Sequence, residues 1–225
     1  MAANLDEALL ISQRIDVNDP QPIVSQALRI AIYDECKAYE AYVRIIEKFG
    51  LVQPFVHIKE SEARHYQALI FLLQKYNVEV PINDWHLKIE APNSFIEACE
   101  LGVASEIQNI AMYDNLLTHV QEADIRDVFY QLQAHSYNNH LPAFRNCILN
   151  HYTVANDVQG FNQEQIMEKI GEYQMILEDM LNGNMDEAKL TNLFSKLNLS
   201  MLSGAALGAA GVAFFNDYMN KKDKE

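Results

Sequence analysis

The sequence predicts an all-α fold in which four long antiparallel helices form a bundle. Apolar residues recur at alternating three- and four-residue steps in four segments between positions 23 and 150, so each segment has one face suited to a core. A short connection joins the first two segments, and a long one separates the second from the third. This arrangement lets one helix pair return alongside the other. An acidic or histidine side chain interrupts each apolar face near its middle.

The composition is that of a globular protein that attracts cations rather than nucleic acid. Hydrophobic residues make up 49% of the 225 residues, which is enough to build a substantial core. The formal net charge is −14 and no cluster of Lys and Arg is present, which argues against binding to nucleic-acid phosphates. Solvated helix faces account for this acidity most simply, and metal binding is compatible with it.

The amino terminus and the cysteines predict a protein of the cytoplasm. Asp6 and Glu7 stand where a secretory signal would carry positive charge. Cys36, Cys99 and Cys147 are far apart and form no Cys-x-x-Cys pair, which argues against a zinc ribbon or a disulfide scaffold. We therefore expect three free thiols in the core.

The first 22 residues predict an amphipathic arm that packs on the main domain, residues 23–150. The arm is closed by the turn-forming sequence NDPQP. The first long helix follows and ends at Gly50, a residue suited to a C-cap. Glu35 lies in the middle of its apolar face, whereas Asp34 falls on another face and is expected to be solvated.

The second helix, residues 59–76, carries Glu62 and His65 on the same face as Leu69 and Leu72. A carboxylate and an imidazole on an apolar face are costly to bury unless something pairs or binds them. Either these two side chains bind a metal, or the helical interpretation of this segment is wrong.

The third helix follows a long connection at residues 77–93, which contains prolines and has no helical period. It begins at Ser94, which can form a capping box with Glu97. Glu106 then lies in the middle of its inward face.

The fourth helix, from about residue 123 to 149, places His140 at the equivalent central position. Pro142 removes a backbone hydrogen bond from this helix and should bend it. The bend either changes the direction of His140 or only marks a kink.

Together the four faces offer five metal-ligating side chains: Glu35, Glu62, His65, Glu106 and His140. A bundle that binds two ions in its core uses one Glu from each of two helices and a Glu-x-x-His pair from each of the other two. Five of these six positions are filled. Carboxylate and imidazole ligands without thiolates favour iron or manganese, so we expect two iron ions, with manganese as the alternative.

The sixth position is held by Tyr137, three residues before His140. Three explanations follow: one ion is under-coordinated, the site holds a single metal, or Asn109 supplies an oxygen from one turn beyond Glu106. Tyr137 is a candidate donor to a bound oxidant. His135, five residues before His140, points away from the site on an α-helix and is not counted among the ligands.

Four motifs give the sequence a family resemblance. They are DECKAYEAY around Glu35, KESEARHYQAL around Glu62 and His65, GVASEIQNIAMYD around Glu106, and NNHLPAF around His140. Over roughly residues 25 to 148 the chain resembles the ferritin-like superfamily, and within it a branch of small prokaryotic proteins of unknown function. The resemblance implies an antiparallel four-helix bundle with a carboxylate-bridged di-iron centre that oxidises ferrous iron or reduces oxygen or peroxide.

The expected function is thus that of a di-iron ferroxidase or a peroxidase-type oxidoreductase whose partners are metal ions and oxygen or peroxide. Glu62 or Glu106 would bridge the ions, Glu35 would hold one terminally, and His65 and His140 would supply nitrogen ligands. Two alternatives are a non-catalytic iron-binding protein and a membrane-tethered interaction protein with a vestigial metal site.

The remainder, residues 151–225, predicts a C-terminal helical extension. Its Gly- and Ala-rich segment 197–216 carries no charge and is just long enough to cross a bilayer. The spacing of its glycines is equally suited to close helix packing in a homo-oligomer. Membrane association and packing between subunits therefore stay open as alternatives.

Overall fold

A computed structural model of the chain describes residues 4–159, with side chains to residue 151, and the single residue 175. In this part of the chain the structure is all-helical, as the sequence predicts. The helices are α1 (Glu7–Ser12), α2 (Ile23–Phe49), α3 (Phe55–Lys75), α4 (Phe95–His119), α5 (Ala123–His135) and α6 (Leu141–Gln159). A 3-10 turn (Trp85–Leu87) interrupts the α3–α4 connection, and a π-helical turn (Ser136–His140) joins α5 to α6.

The main packing pairs are α2 with α3 and α4 with α6. Residues 50–54 connect α2 to α3, so α3 runs back along its neighbour. Gly50 ends α2 as predicted, with a φ of 87° and its N–H donating to the Ile46 carbonyl. The two helix pairs meet through contacts of α4 with α2 and of α5 with α3.

The N-terminal arm packs on the main body, as expected. The Asp6 carboxylate pairs with Arg29 of α2 at 2.7 Å. Asn4 exchanges two 2.9 Å hydrogen bonds with the backbone of Ile82 in the long connection. The connection is itself fixed to α2, because the indole N–H of Trp85 donates to the Tyr33 carbonyl oxygen at 2.9 Å. These contacts join the arm, the long connection and α2.

The predicted capping box at the start of α4 is present, with both Ser94 and Glu97 hydrogen-bonded as expected. The fourth predicted helix begins at residue 123 as expected, but a π turn divides it into α5 and α6, and α6 continues to residue 159 rather than ending at 149. Pro142 explains the interruption. Its missing N–H and its ring are incompatible with a regular turn onto residue 138, and the Leu141 N–H instead donates to the Ser136 carbonyl.

An aromatic cluster fills one end of the core. Phe144 packs on Tyr42 and Phe55 with ring centroids 5.6 and 5.2 Å apart. Gly102 of α4 is required here, because a Cβ at this position would lie 2.5 Å from the Phe144 ring. Close approach of α4 and α6 therefore depends on the absence of a side chain at residue 102.

The expectation of three free thiols is wrong for two of them. Cys99 of α4 and Cys147 of α6 form a disulfide, with Cα atoms 6.2 Å apart. Sequence separation gave no hint of this pair, because the two positions are 48 residues apart and only the packing of α4 on α6 brings them together. Cys36 is a free, buried cysteine as predicted.

The C-terminal extension lies outside the described residues beyond position 159, apart from residue 175. This includes the Gly- and Ala-rich segment 197–216. None of the helices in the described part of the chain is both long enough and apolar enough to cross a membrane.

Candidate metal centre

The five predicted ligands come together in the interior of the protein. The side chains are Glu35 of α2, Glu62 and His65 of α3, Glu106 of α4 and His140 of the π turn, and each residue is at most 3% exposed. Carboxylates and imidazoles are rarely buried to this degree unless they are paired or bind an ion.

The ligands divide into two clusters that share one residue. The first, here called the His65 cluster, consists of Glu35, Glu62 and His65, and the second, the His140 cluster, consists of Glu62, Glu106 and His140. In each cluster every residue offers a ligand atom within 4.8 Å of the others. The two carboxylate oxygens of Glu62 face different clusters: Oε2 lies 2.8 Å from His65 Nδ1 and Oε1 lies 3.2 Å from His140 Nδ1.

Hydrogen bonds fix the orientation of Glu35. The Tyr113 hydroxyl donates to Oε1 at 2.6 Å, and the Asn109 side-chain amide donates to the same oxygen at 3.3 Å. Oε2 lies 3.1 Å from His65 Nδ1. Both carboxylate oxygens therefore have partners, and the charge of Glu35 is stabilised in the interior.

A tyrosine from the opposite helix also contacts Glu106. The Tyr42 hydroxyl of α2 donates to Glu106 Oε1 at 2.9 Å. The two contacts are reciprocal, since Glu35 and Tyr42 lie on α2 while Glu106 and Tyr113 lie on α4. Each carboxylate is held by the tyrosine of the other helix. Burial and the adjacent carboxylates raise the pKa of both tyrosines well above its usual value, so both hydroxyls remain donors.

The reciprocal pairs have a sequence signature that the periodicity of apolar residues does not reveal. In both α2 and α4 the tyrosine follows the glutamate by seven residues, or two helical turns. A search for Glu-x6-Tyr on two apolar faces would have found these residues, which periodicity alone classes as core filler.

Two ligand atoms of the His140 cluster have no hydrogen-bond partner within the described residues. They are Glu106 Oε2 and His140 Nδ1, and both are completely buried. The two atoms are 3.4 Å apart, close enough for an ion pair but without hydrogen-bond geometry. Leaving a buried polar atom unpaired costs about 1–3 kcal/mol, so both atoms are suited to an additional partner.

Protons balance the carboxylate charge when no ion is bound. Burial by itself would lower the pKa of His65, but the Glu35 and Glu62 carboxylates raise it to about 10. The same competition, with Glu106 and Glu62 as the carboxylates, raises the pKa of His140 to about 10. Burial and the charge of Glu35 raise the pKa of Glu62. A dication entering the centre would replace these protons.

His135, which the sequence analysis excluded, lies beside the centre. Its Nδ1 is 3.0 Å from His65 Nε2, the ring nitrogen directed away from the carboxylates. In an α-helix, residues 135 and 140 would point about 140° apart. The π turn between them makes this difference smaller, and both rings lie near His65.

The other predicted neighbours have different environments. Asn109 is buried, but its side-chain oxygen accepts a 2.9 Å hydrogen bond from Ser136 while its nitrogen faces Glu35. Tyr137 packs against the hydrophobic core. Asp34, expected to be solvated, is 7% exposed. The arm explains this error, because Gln13 covers Asp34 and donates a hydrogen bond to it, as Asn109 does from α4.

The residues present fit a pair of hard divalent ions. Each cluster supplies oxygens from two glutamates and one imidazole Nδ1, a donor set typical of iron and manganese rather than of zinc or copper thiolate sites. The unpartnered atoms of Glu106 and His140 give independent support, because an ion bound there would satisfy both.

Comparison with known proteins gives a fold but no activity. No family model matches the chain. The chain is 27% identical over 152 residues to the uncharacterized protein MJ0754 of Methanocaldococcus jannaschii, covering 61% of this chain and 80% of that protein. A crystal structure of the same hypothetical protein aligns with a TM-score of 0.53 at 23% identity, over 70% of this chain and 97% of the other. The two chains share a fold.

Proposed function

We propose that the protein is a ferritin-like four-helix bundle that binds two iron ions and oxidises ferrous iron or reduces oxygen or peroxide. One observation carries the proposal: the two oxygens of Glu62 contact the histidines of two different buried clusters. A carboxylate in this position would offer one oxygen to each of two ions. Manganese would suit the same ligands.

The helix pairs support the ferritin-like part of the proposal. α2 and α3 pack as one pair, α4 packs with α5 and α6, and the long connection 76–94 lies between the pairs. A bundle of the ferritin type has one long crossover at this place and directs ligands inward from all its helices. Here Glu35, Glu62, Glu106 and His140 fulfil that requirement from four different elements.

The chain's own residues would position and isolate the reacting ions. Tyr113 and Tyr42 hold the outer carboxylates Glu35 and Glu106 in fixed directions, and burial excludes bulk water. Loss of protons from His65 and His140 frees their Nδ1 atoms for the ions. The bound ions would supply the electrons that reduce oxygen or peroxide.

Elemental analysis of the full chain, purified without chelators, tests metal binding. The parent should contain about two metal ions per chain, and Glu62→Ala/His65→Ala should contain none. A matched control is Glu60→Ala/His57→Ala, which removes the same two residue types from exposed positions of α3. The control should keep both ions. A parent that binds neither iron nor manganese, even when loaded under anaerobic conditions, contradicts the proposal.

Oxygen uptake distinguishes an oxidase from a protein that only binds iron. Ferrous iron added to the metal-free parent under air should cause rapid oxygen consumption, and the Glu62→Ala/His65→Ala variant should respond at the rate of buffer alone. Metal binding without oxygen or peroxide consumption would favour the non-catalytic alternative.

A further inference from the structure

We infer that His135 is a positioning residue that accepts a hydrogen bond from His65 and thereby fixes its metal-binding tautomer. The inference rests on the proposed function, because the tautomer matters for a ring that binds an ion. It adds a residue which does not belong to the five ligands and which acts on only one of the two clusters.

The His65 ring directs its Nδ1 towards the carboxylates. Its Nδ1 lies between the carboxylates, 3.1 Å from Glu35 Oε2 and 2.8 Å from Glu62 Oε2. An ion bound by these carboxylates would take the Nδ1 lone pair. The proton of the neutral ring must then reside on Nε2, since a neutral imidazole has one N–H and one lone pair.

The other ring nitrogen, Nε2, contacts side chains outside the two clusters. The atoms near Nε2 are His135 Nδ1 at 3.0 Å and Ser61 Oγ at 3.3 Å. We assign His135 Nδ1, the nearer of the two, as the acceptor of the His65 Nε2–H, which places the proton of His135 on its outer nitrogen. The second ring nitrogen of a metal-ligating histidine commonly donates to a fixed acceptor, and loss of that acceptor typically weakens metal binding about 10- to 100-fold.

The backbone that follows His135 departs from a regular α-helix. The π-helical turn of residues 136–140 allows His135 to lie beside His65 while His140 lies beside Glu62. Such turns cost stability and are frequent at functional sites. The same turn carries His140, so one local distortion places a ligand of the His140 cluster and the partner of the His65 ligand together.

A cobalt titration of the full metal-free chain under anaerobic conditions tests the inference. The parent should bind two Co²⁺ ions with the absorption bands of nitrogen- and oxygen-ligated cobalt. His135→Ala should weaken one ion about 10- to 100-fold and leave the other within about threefold. His135→Gln should recover part of the loss, because its side-chain oxygen can accept the same hydrogen bond. His57→Ala, which removes an exposed histidine of α3, is the control and should behave as the parent.

The outcome separates this inference from the proposed function. Unchanged affinities in His135→Ala, or equal weakening of both ions, would overturn the positioning role while leaving the metal centre intact. If the parent binds neither cobalt nor iron nor manganese, the proposed function fails, and NMR of the metal-free protein decides the inference. The Nε2–H signal of His65 should be protected from exchange in the parent and lost in His135→Ala, and its persistence in the variant would refute the hydrogen bond.

Discussion

The two ligand clusters differ in how far the protein alone satisfies them. In the His65 cluster, Glu35 has partners on both oxygens and His65 has partners on both ring nitrogens. In the His140 cluster, Glu106 Oε2 and His140 Nδ1 are buried with no hydrogen bond among the described residues. Both clusters have two glutamates and one histidine, so the difference comes from the surroundings rather than from the ligands.

The comparison shows two ways to prepare a buried site. Hydrogen bonds from Tyr113 and Asn109 to Glu35, and from His65 to His135, would hold the His65 cluster in shape before an ion arrives and so lower the cost of ordering the ligands. The His140 cluster instead leaves two buried ligand atoms without a hydrogen bond, and a bound ion would satisfy both. An ion there gains the energy of satisfying two orphaned atoms.

Loss of the residue shared by the clusters should have the largest effect. Glu62→Gln keeps the size of the side chain but removes the charge that both clusters use, so both ions should be lost. Glu106→Gln changes only the His140 cluster and should lose one ion of the two. Native mass spectrometry of protein loaded with Mn²⁺ measures both ratios. Retention of one ion by Glu62→Gln would show that the clusters do not share this carboxylate.

The dependence of metal binding on pH should be similar for the two clusters. The carboxylates raise the pKa of His65 and His140 to about 10, so both rings are protonated at neutral pH without metal. Each ion must therefore displace a proton, and both affinities should rise with pH between about 6.5 and 9, by up to about tenfold per unit.

The same pKa shifts determine how the folding stability of the metal-free protein changes with pH. Since the folded-state pKa of each histidine lies above the unfolded value, these contacts stabilise the fold fully below about pH 6.5, and the contribution is lost as pH rises through about 10.

The release of protons on metal binding can be measured directly. Calorimetry of Mn²⁺ binding in buffers of different ionisation enthalpy counts the released protons. An affinity that is constant with pH would contradict the protonated state of both rings.

Loss of a tyrosine hydroxyl should have the smallest effect on metal affinity, and each tyrosine should affect one cluster only. Tyr113→Phe removes a donor to Glu35 and should weaken the ion of the His65 cluster about tenfold, whereas Tyr42→Phe should do so for the ion of the His140 cluster. Each change also costs about 1 kcal/mol of folding free energy. Titration with Co²⁺ and urea unfolding check the two effects. Equal weakening of both ions by either variant would argue against reciprocal support.

Local rules were sufficient for the helices and for their inward faces. The capping box at Ser94, the end of α2 at Gly50 and the burial of Glu62 and His65 agree with the prediction from spacing. These features depend on neighbours within one or two helical turns, so periodicity and capping chemistry contain the necessary information.

Errors arose where a distant segment changed a local environment. Asp34 was expected in solvent, yet Gln13 of the arm and Asn109 of α4 cover it. Cys99 and Cys147 were expected as separate thiols, yet helix packing joins them. Neither partner can be recognised from the residues around it.

The sequence by itself determined the five candidate ligand positions and the apolar faces that carry them, because helical periodicity relates residues three, four and seven apart without knowledge of the fold. Only the tertiary structure decided which oxygens of Glu62 face which cluster, and which tyrosine holds which carboxylate. It also decided that His135 contacts His65, because Pro142 and the packing around it produce a π turn where periodicity assumes a regular helix.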